Sequence, residues 1–409
     1  MGAVRDRAGA RPPGGHDSVT VKRVVLAVTG SRAEYGAMRP VFRTIANSPS
    51  FELHLLVTGM HLAPQFSRSL DEIEADAFGT LHRLPVFPAE GTGAAMARSL
   101  GHAVVGTTGV LDDIRPDIVL LQGDRGEMLA AAMAAAHLNV PVVHMSGGDR
   151  TGTLDDAIRN AITSFAHVHL TTCDESSHRL GSMGESAARI FQVGEPTLDV
   201  ILALVPIARE TLCDELDLDA ARPIVLATQH SVTDEAHKAG AQVLETLAAL
   251  TALGLQTVFT YPNTDSGYEG IVEALASWQP RTDLRVVPHL GQLRYLSLMR
   301  QAAVVVGNSS SGILEAPSFA VPVVNVGTRQ HRRTRADNVI DVPCDRLAIE
   351  NAVRRALHDP EFRDRLSACR NPYGDGRCAE RTCDILQRLR LGQRLTAKWL
   401  DDGSALIDP

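Results

Sequence analysis

The sequence predicts an α/β protein built from two Rossmann-like, doubly wound halves with a cleft between them. Three observations predict it. Short apolar runs alternate with helical stretches, the pattern of parallel strands covered on both faces. The alternation breaks at Gly194-Glu195-Pro196 and then restarts with the same rhythm. The chain has 409 residues, too many for one ordinary domain.

Taken in order, residues 1–20 are rich in Gly, Arg and Pro, lack an apolar stretch and read as a disordered leader rather than a signal peptide. Val21 to Thr29 is the first strand. It runs into Gly30-Ser31-Arg32-Ala33-Glu34-Tyr35-Gly36 and a helix through Ile45, a strand-turn-helix unit. The turn lacks a full GxGxxG, so dinucleotide binding is not expected. Phe51 to Thr58 is the next strand, ending in Gly59-Met60-His61, and a small-residue helix follows at Ala94 to Leu111. Ile118 to Leu121 is a strand that breaks at Gln122-Gly123-Asp124-Arg125 into an Ala-rich helix. Val140 to His144 is a strand that ends in Ser146-Gly147-Gly148-Asp149, after which a polar loop leads to Asp155-Asp156 and another helix. A strand at Val168 to Thr172, a helix at Ser176 to Met183 and a strand at Arg189 to Val193 complete the first half, residues 21–198.

The second half, residues 199–375, carries strands at Ile224 to Thr228, Gln256 to Thr260, Leu284 to Val287, Ala303 to Val306 and Val321 to Val326. Helices fall between them, as at Asp234 to Leu253 and Gln292 to Arg300. A last helical segment, Gly376 to Leu400 within residues 376–409, is expected to pack back on the first half before a short tail.

Composition narrows the function. A formal net charge of −8 argues against nucleic acid as a partner. No apolar run approaches the roughly 18 residues of a membrane span, so no membrane association is expected. The six cysteines show neither secretory context nor metal-ligand spacing, which points to reduced thiols and a cytoplasmic location.

Ligands bind outside the carboxyl ends of strands in open parallel sheets. Two consecutive strand ends carry Asp124 with Arg125, and His144 with Asp149. An acid, a base and a cation gathered there suit proton movement beside an anion. Asp155 and Asp156 at a helix start, with Arg159 four residues after Asp155, fit an ordinary acidic N-terminus with an i,i+4 ion pair; a functional role stays open beside it.

In the second half, Gly307-Asn308-Ser309-Ser310-Ser311-Gly312 follows a buried strand and opens a helix. Three serines between two glycines exceed what capping needs and suit an anion, here a phosphate. Glu315, placed in the first helical turn, is either a dipole-complementing charge or an acceptor for sugar hydroxyls. Arg32, Arg125 and Arg329 each sit in a Gly-bearing turn after a strand, and together suit a diphosphate clamp. His230, at a strand end beside Gln229, is a candidate phosphate ligand or proton donor. His167 and His169 alternate on one strand face, but no further ligands cluster with them, so no metal is expected.

With these residues in hand, the chain resembles the hydrolysing UDP-N-acetylglucosamine 2-epimerases of sialic-acid-type sugar pathways, over roughly Lys22 to Leu389. The resemblance rests on Gly30 to Tyr35, Thr58-Gly59-Met60-His61, Gly123-Asp124-Arg125, Gly147-Gly148-Asp149, and Gly152 to Asp156 with Arg159. It continues with Gln229-His230, Tyr261-Pro262-Asn263 with Asp265, Gly307-Asn308-Ser309-Ser310 and Gly327-Thr328-Arg329-Gln330. It implies a GT-B fold, a UDP-sugar in the cleft, no metal or redox cofactor, and a homodimer or homotetramer. The non-hydrolysing relatives share that fold but lack the Gly-Thr-Leu-Asp-Asp loop at residues 152–156. The sequence departs from the family at Ser146, where some members carry an acid, at Asp149, where some carry Glu, and at Ser231, where Pro is frequent.

The resemblance assigns Asp124, Asp149, Asp155 and His230 to catalysis. It assigns Arg32, His61, Arg125, His144, Asn263, Asn308, Ser309, Ser310, Glu315 and Arg329 to substrate binding. The implied chemistry ionises the C1–O bond to the diphosphate, acidifies H-2, forms a glycal, and adds water with a proton returned from the opposite face.

Overall fold

The computed structural model describes residues 22–63, 68–86, 93–150, 154–263, 266–278, 282–398 and 403–408. The expected strand-helix alternation is present in both halves. In the first, the chain runs β1 (Arg23–Thr29), α1 (Arg32–Asn47), β2 (Phe51–Thr58), α2 (Arg68–Asp76), β3 (Thr80–Leu84), α3 (Gly93–Ile114), β4 (Ile118–Gln122) and α4 (Gly126–His137). It continues through β5 (Val142–Met145), α5 (Leu154–Phe165), β6 (Val168–Thr171), α6 (Asp174–Ser182) and β7 (Ile190–Gln192). These strands form one parallel sheet in the order β3-β2-β1-β4-β5-β6-β7.

The second sheet is built from β8 (Ile224–Thr228), β9 (Gln256–Thr260), β10 (Leu284–Val287), β11 (Val304–Gly307), β12 (Val323–Val326) and β13 (Val339–Val342). It is also parallel, in the order β10-β9-β8-β11-β12-β13. Helices α7 (Leu198–Leu202) and α8 (Arg209–Leu216) lead into it. Helices α9 (Ala239–Ala252), α10 (Tyr268–Trp278), α11 (Gly291–Gln301), α12 (Ser311–Leu314), α13 (Arg346–His358) and α14 (Pro360–Ser367) connect or flank its strands.

Central strands are buried on both faces, as their unbroken Val, Ile, Leu and Ala runs require. The expected helix at Asp234 to Leu253 divides into a 3-10 turn at Thr233–Lys238 and then α9. Sequence reading missed β3, β13, α2, α13 and α14. Both missed strands are sheet edges, where TLHRL and VIDV need bury only part of their side chains, so the apolar run that marks a strand is interrupted.

The chain returns to the first sheet as α15 (Cys378–Arg388), whose Cys378, Ala379, Ile385 and Leu386 join Tyr35, Met38, Phe42 and Ile45 in one core. A single helix does not run on to residue 400. The chain breaks at Gly392, φ +142°, and resumes as the one-turn α16 (Gln393–Thr396). Among the described residues no helix is long and apolar enough to cross a membrane.

Each sheet reverses its winding once, between β1 and β4 in the first and between β8 and β11 in the second. A crevice opens at such a reversal outside the carboxyl ends of the strands. Gly30-Ser31-Arg32 and Gly123-Asp124-Arg125 therefore meet at one reversal, and His230 and Asn308 at the other.

Candidate active site

At the first reversal Ser31 caps α1, its hydroxyl accepting from the Glu34 amide at 3.4 Å. The Glu34 carboxylate accepts in turn from the Gly30 amide at 2.9 Å. Glu34 is buried, and burial pushes its carboxyl up to about 7 against the pull of Arg125. Arg125 Nε lies 3.5 Å from Glu127 Oε2 and 3.9 Å from Glu34 Oε1. Gly59 holds φ +55°, and a Cβ there would stand 2.8 Å from the Gly30 carbonyl, so this turn disfavours any side chain. Arg125 is thus set among two glutamates at the crevice floor. Arg32 points elsewhere: its side chain is 60% exposed and pairs with Glu72 of α2 at 2.8 Å.

The turn after β5 is tightly shaped. Ser146 takes φ +64° and Gly148 φ +80°, and a Cβ on Gly148 would lie 2.4 Å from the Ser176 carbonyl of α6. Pressed against α6, the turn delivers Asp149, whose Oδ1 accepts from Thr172 Oγ1 at 2.7 Å and Ser176 Oγ at 2.6 Å. Arg159 reaches in from α5, buried, and donates to the Ser146 carbonyl at 2.8 Å. Its Nη2 is ion-paired to Asp124, and its Nη1 stands 3.7 Å from Asp149 Oδ2. The sequence reading gave Arg159 a surface ion pair on its own helix. The guanidinium turns inward because two carboxylates at adjacent strand ends need a shared counter-charge. Asp155, in the first turn of α5, is exposed; residues 151–153 of the preceding loop lie outside the described residues.

Two histidines expected at the ligand lie beneath the surface. His144 is fully buried and its Nε2 donates to the Gly123 carbonyl at 2.8 Å, bracing β5 against the Asp124 turn. Burial pushes its pKa down to about 3. His61 is also fully buried, with Nε2 3.0 Å from the Thr29 hydroxyl and Nδ1 3.0 Å from the Ser69 hydroxyl. Burial holds it near 4. Both are neutral and buried, bracing the turns beside the crevice.

His167 and His169 are struts too. His167 Nδ1 accepts from the Val142 amide at 3.0 Å, and His169 Nε2 lies 3.0 Å from Glu185, which also binds Lys398 at 2.6 Å. Among the described residues no three His, Cys, Asp or Glu side chains gather as a metal site.

At the second reversal Asn308 is a cross-brace. Its Oδ1 accepts from the His230 amide at 2.7 Å and its Nδ2 donates to the His230 carbonyl at 2.9 Å. Only 3% exposed, it fixes the loop. The Asn308 carbonyl accepts from Gln330 at 3.0 Å and from Arg329 at 3.4 Å, which ties the Gly327 to Gln330 turn to the serine loop. His230 Nδ1 accepts from the Asn263 amide at 2.9 Å, so a neutral ring carries its proton on Nε2. Asp265 lies outside the described residues.

Ser309 and Ser310 open α12, which is a single turn. Glu315 is its C-cap rather than a first-turn residue. It is also the N-cap of the 3-10 turn Ala316–Phe319, so it stands at the start of that turn rather than of α12. Burial raises the Glu315 carboxyl against a hydrogen bond from Ser311, which favours its charged form.

Between the halves, Asp149, Ser176 and Arg179 face Arg333, Thr334 and Tyr373 across a narrow cleft. Glu195 is buried there, pushed up to about 7 by burial and then by the Asp149 charge, against the pull of Arg333. Sequence reasoning missed Glu34, Glu127, Thr172, Ser176, Glu195 and Arg333. The Ser31-x-x-Glu34 spacing of a capping box was a usable signal for the first. Thr172, Ser176 and Arg333 stand in no motif, and only folding brings them to Asp149.

Comparison with known proteins agrees with this fold. The model of the family described as UDP-N-acetylglucosamine 2-epimerase matches residues 43–387. A Legionella pneumophila protein named UDP-N,N'-diacetylbacillosamine 2-epimerase (hydrolyzing) is 40% identical over 376 residues, 92% of this chain and 98% of that protein. A Neisseria meningitidis UDP-N-acetylglucosamine 2-epimerase is 33% identical over 83% of this chain and 88% of its own length. The crystal structure of the Neisseria meningitidis UDP-GlcNAc 2-epimerase bound to UDP-GlcNAc superposes with a TM-score of 0.75 at 20% identity, over 89% of this chain and 99% of that one. At that identity the superposition speaks to the fold, which is the two-sheet GT-B arrangement.

Proposed function

This chain belongs to the UDP-N-acetylglucosamine 2-epimerase family, and on that premise we propose that it is a hydrolysing 2-epimerase. It converts UDP-N-acetylglucosamine, or a close 2-acetamido nucleotide sugar, into a free N-acetylmannosamine-type sugar and UDP. The observation that carries the chemistry is Arg159, which gathers the Asp124 and Asp149 carboxylates from adjacent strand ends. The family match supplies the substrate class. A glycosyltransferase on the same fold would need an acceptor and has less use for such a carboxylate pair.

In this reading the diphosphate lies against the serine loop, with Ser309, Ser310, Arg329 and the Nε2–H of His230 as donors. As the C1–O bond ionises, C1 gains oxocarbenium character and H-2 becomes acidic. One carboxylate of the Asp124–Asp149 pair takes H-2, and UDP leaves with the C1–O electron pair, giving the 2-acetamidoglycal. Water then adds its oxygen at C1, losing one proton to solvent, while a proton is delivered to C2 from the opposite face. The returning proton is assigned to Asp155, which stands on α5 apart from the Arg159-bridged pair. Glu315 accepts from a sugar hydroxyl.

The greater identity to the Legionella pneumophila protein favours a second substrate reading, a 2,4-diacetamido sugar on the same UDP carrier. Incubation in D₂O with UDP-N-acetylglucosamine and with UDP-N,N'-diacetylbacillosamine, followed by NMR, tests both. Free 2-epimerised sugar with deuterium at C2 is expected from at least one. Epimerised sugar still attached to UDP would sink the hydrolysing assignment.

A further inference from the structure

We propose that Glu175 and Arg179 are positioning residues that couple closure of the cleft to the placement of Asp149, with Thr334 of the second half as the trigger. The proposal rests on the reading of Asp149 as a catalytic carboxylate. Thr334 lies between β12 and β13, and its hydroxyl donates to Glu175 Oε2 across the cleft. Glu175 Oε1 accepts from Arg179 Nη2 at 2.6 Å, one helical turn further along α6. Arg179 Nη1 donates to the Gly148 carbonyl, the residue before Asp149. One hydrogen-bonded chain therefore runs from the second half of the molecule to the Asp149 turn.

A second connection is steric. The Gly148 turn is packed so closely on α6 that a Cβ would lie 2.4 Å from the Ser176 carbonyl, and the Ser176 hydroxyl holds Asp149 at 2.6 Å. A shift of the first turn of α6 must move Asp149 with it. Thr334 is itself held in register, because its carbonyl accepts from Tyr373 Oη at 3.0 Å. Tyr373 belongs to the strap by which the chain recrosses to the first half, and its carbonyl accepts from the Glu195 amide at 2.7 Å. The Thr334 loop is thus linked through the strap to the Glu195 turn of the first half.

The Glu175–Arg179 pair contributes little to stability, since the Glu175 side chain is 48% exposed. Its value lies in direction. An open cleft frees Glu175 from Thr334 and loosens Arg179 and the turn, whereas a cleft closed on substrate restores the chain and fixes Asp149. Asp149, already held by Thr172, Ser176 and Arg159, would thereby gain its last restraint when the substrate has drawn the two halves together.

Thr334→Val removes the hydroxyl at nearly constant shape, and Thr334→Ser restores it. Hydrogen–deuterium exchange of the amides in residues 145–150, with UDP bound, is expected to quicken about tenfold in Thr334→Val and to return to the original rate in Thr334→Ser. With substrate, kcat is expected to fall about tenfold in Thr334→Val, with UDP affinity within about threefold of the unaltered chain. Unchanged exchange in residues 145–150 overturns the coupling whether or not the protein turns over any sugar. Faster exchange with unchanged kcat overturns the positioning role. Failure of the unaltered protein to release epimerised sugar counts against the proposed function alone.

Discussion

Arg159 is ion-paired to Asp124, and the same guanidinium reaches Asp149 at 3.7 Å. The residue is buried and also holds the Ser146 carbonyl at 2.8 Å, so one side chain sets the spacing of two strand-end carboxylates. Arg159→Met should therefore cost about 3–5 kcal/mol, because it strands two carboxylates without their counter-charge. Turnover should fall by at least about 10²-fold. Urea denaturation and steady-state kinetics read the two effects, and a stable, fully active variant would remove Arg159 from the site.

Asp155 offers the contrasting case of an exposed acid at the start of α5. Asp155→Asn keeps the shape and a capping oxygen, so stability should change by no more than about 1 kcal/mol. Turnover should drop about 10²-fold or more, with UDP affinity retained. A variant that turns over normally and still places deuterium at C2 would leave Asp155 as a helix charge and pass the return proton to another group.

UDP binding is better probed at the serine loop than at Arg125. Loss of Arg125 would leave Glu34 and Glu127 facing each other and confound affinity with folding. Ser309→Ala and Arg329→Ala should each weaken UDP by about 1.5–3 kcal/mol, the range for hydrogen bonds to a charged group. Calorimetry showing the unaltered affinity in both would place the diphosphate elsewhere.

Activity should persist in excess EDTA, because Arg329, His230 and the serine loop are assigned to the leaving group. Abolition by EDTA with recovery on adding magnesium or zinc would contradict that assignment.

Acid lability follows from His144. Its folded pKa, about 3, lies below the ordinary 6.5, so between those values the unfolded chain binds a proton that the native ring refuses. Stability is lost as pH falls through that window. His61, held near 4, acts in the same sense. Glu34 and Glu195, raised to about 7, act oppositely and cost stability as pH rises from the ordinary carboxyl range toward 7. His144→Gln keeps a donor for Gly123 and should lower the slope of unfolding free energy between pH 4 and 6 by about 1.4 kcal/mol per pH unit. An unchanged slope in urea titrations would show that His144 does not set the acid limit.

The sequence by itself determined the strands with unbroken apolar runs, the turn that ends each one, and the family. β4, β8 and β11 were legible because a strand buried on both faces is apolar along almost its whole length, which leaves a local mark. Asp124, Asp149, His230 and the serine loop were legible because strand ends in parallel sheets face the crevice. The edges β3 and β13 were not, since one-sided burial leaves a mixed pattern. What only the tertiary structure decided is which polar residues face the crevice and which are buried under it. His61 and His144 carry the same local signal as ligand-facing histidines, yet they lie in the interior and brace turns. Arg159 reads as a surface partner of Asp155 at helical spacing, yet it points inward to carboxylates 35 and 10 residues away in the chain. Side-chain direction depends on which strands lie adjacent and on how helices pack across them, and those contacts join residues far apart in sequence, so no local pattern records them.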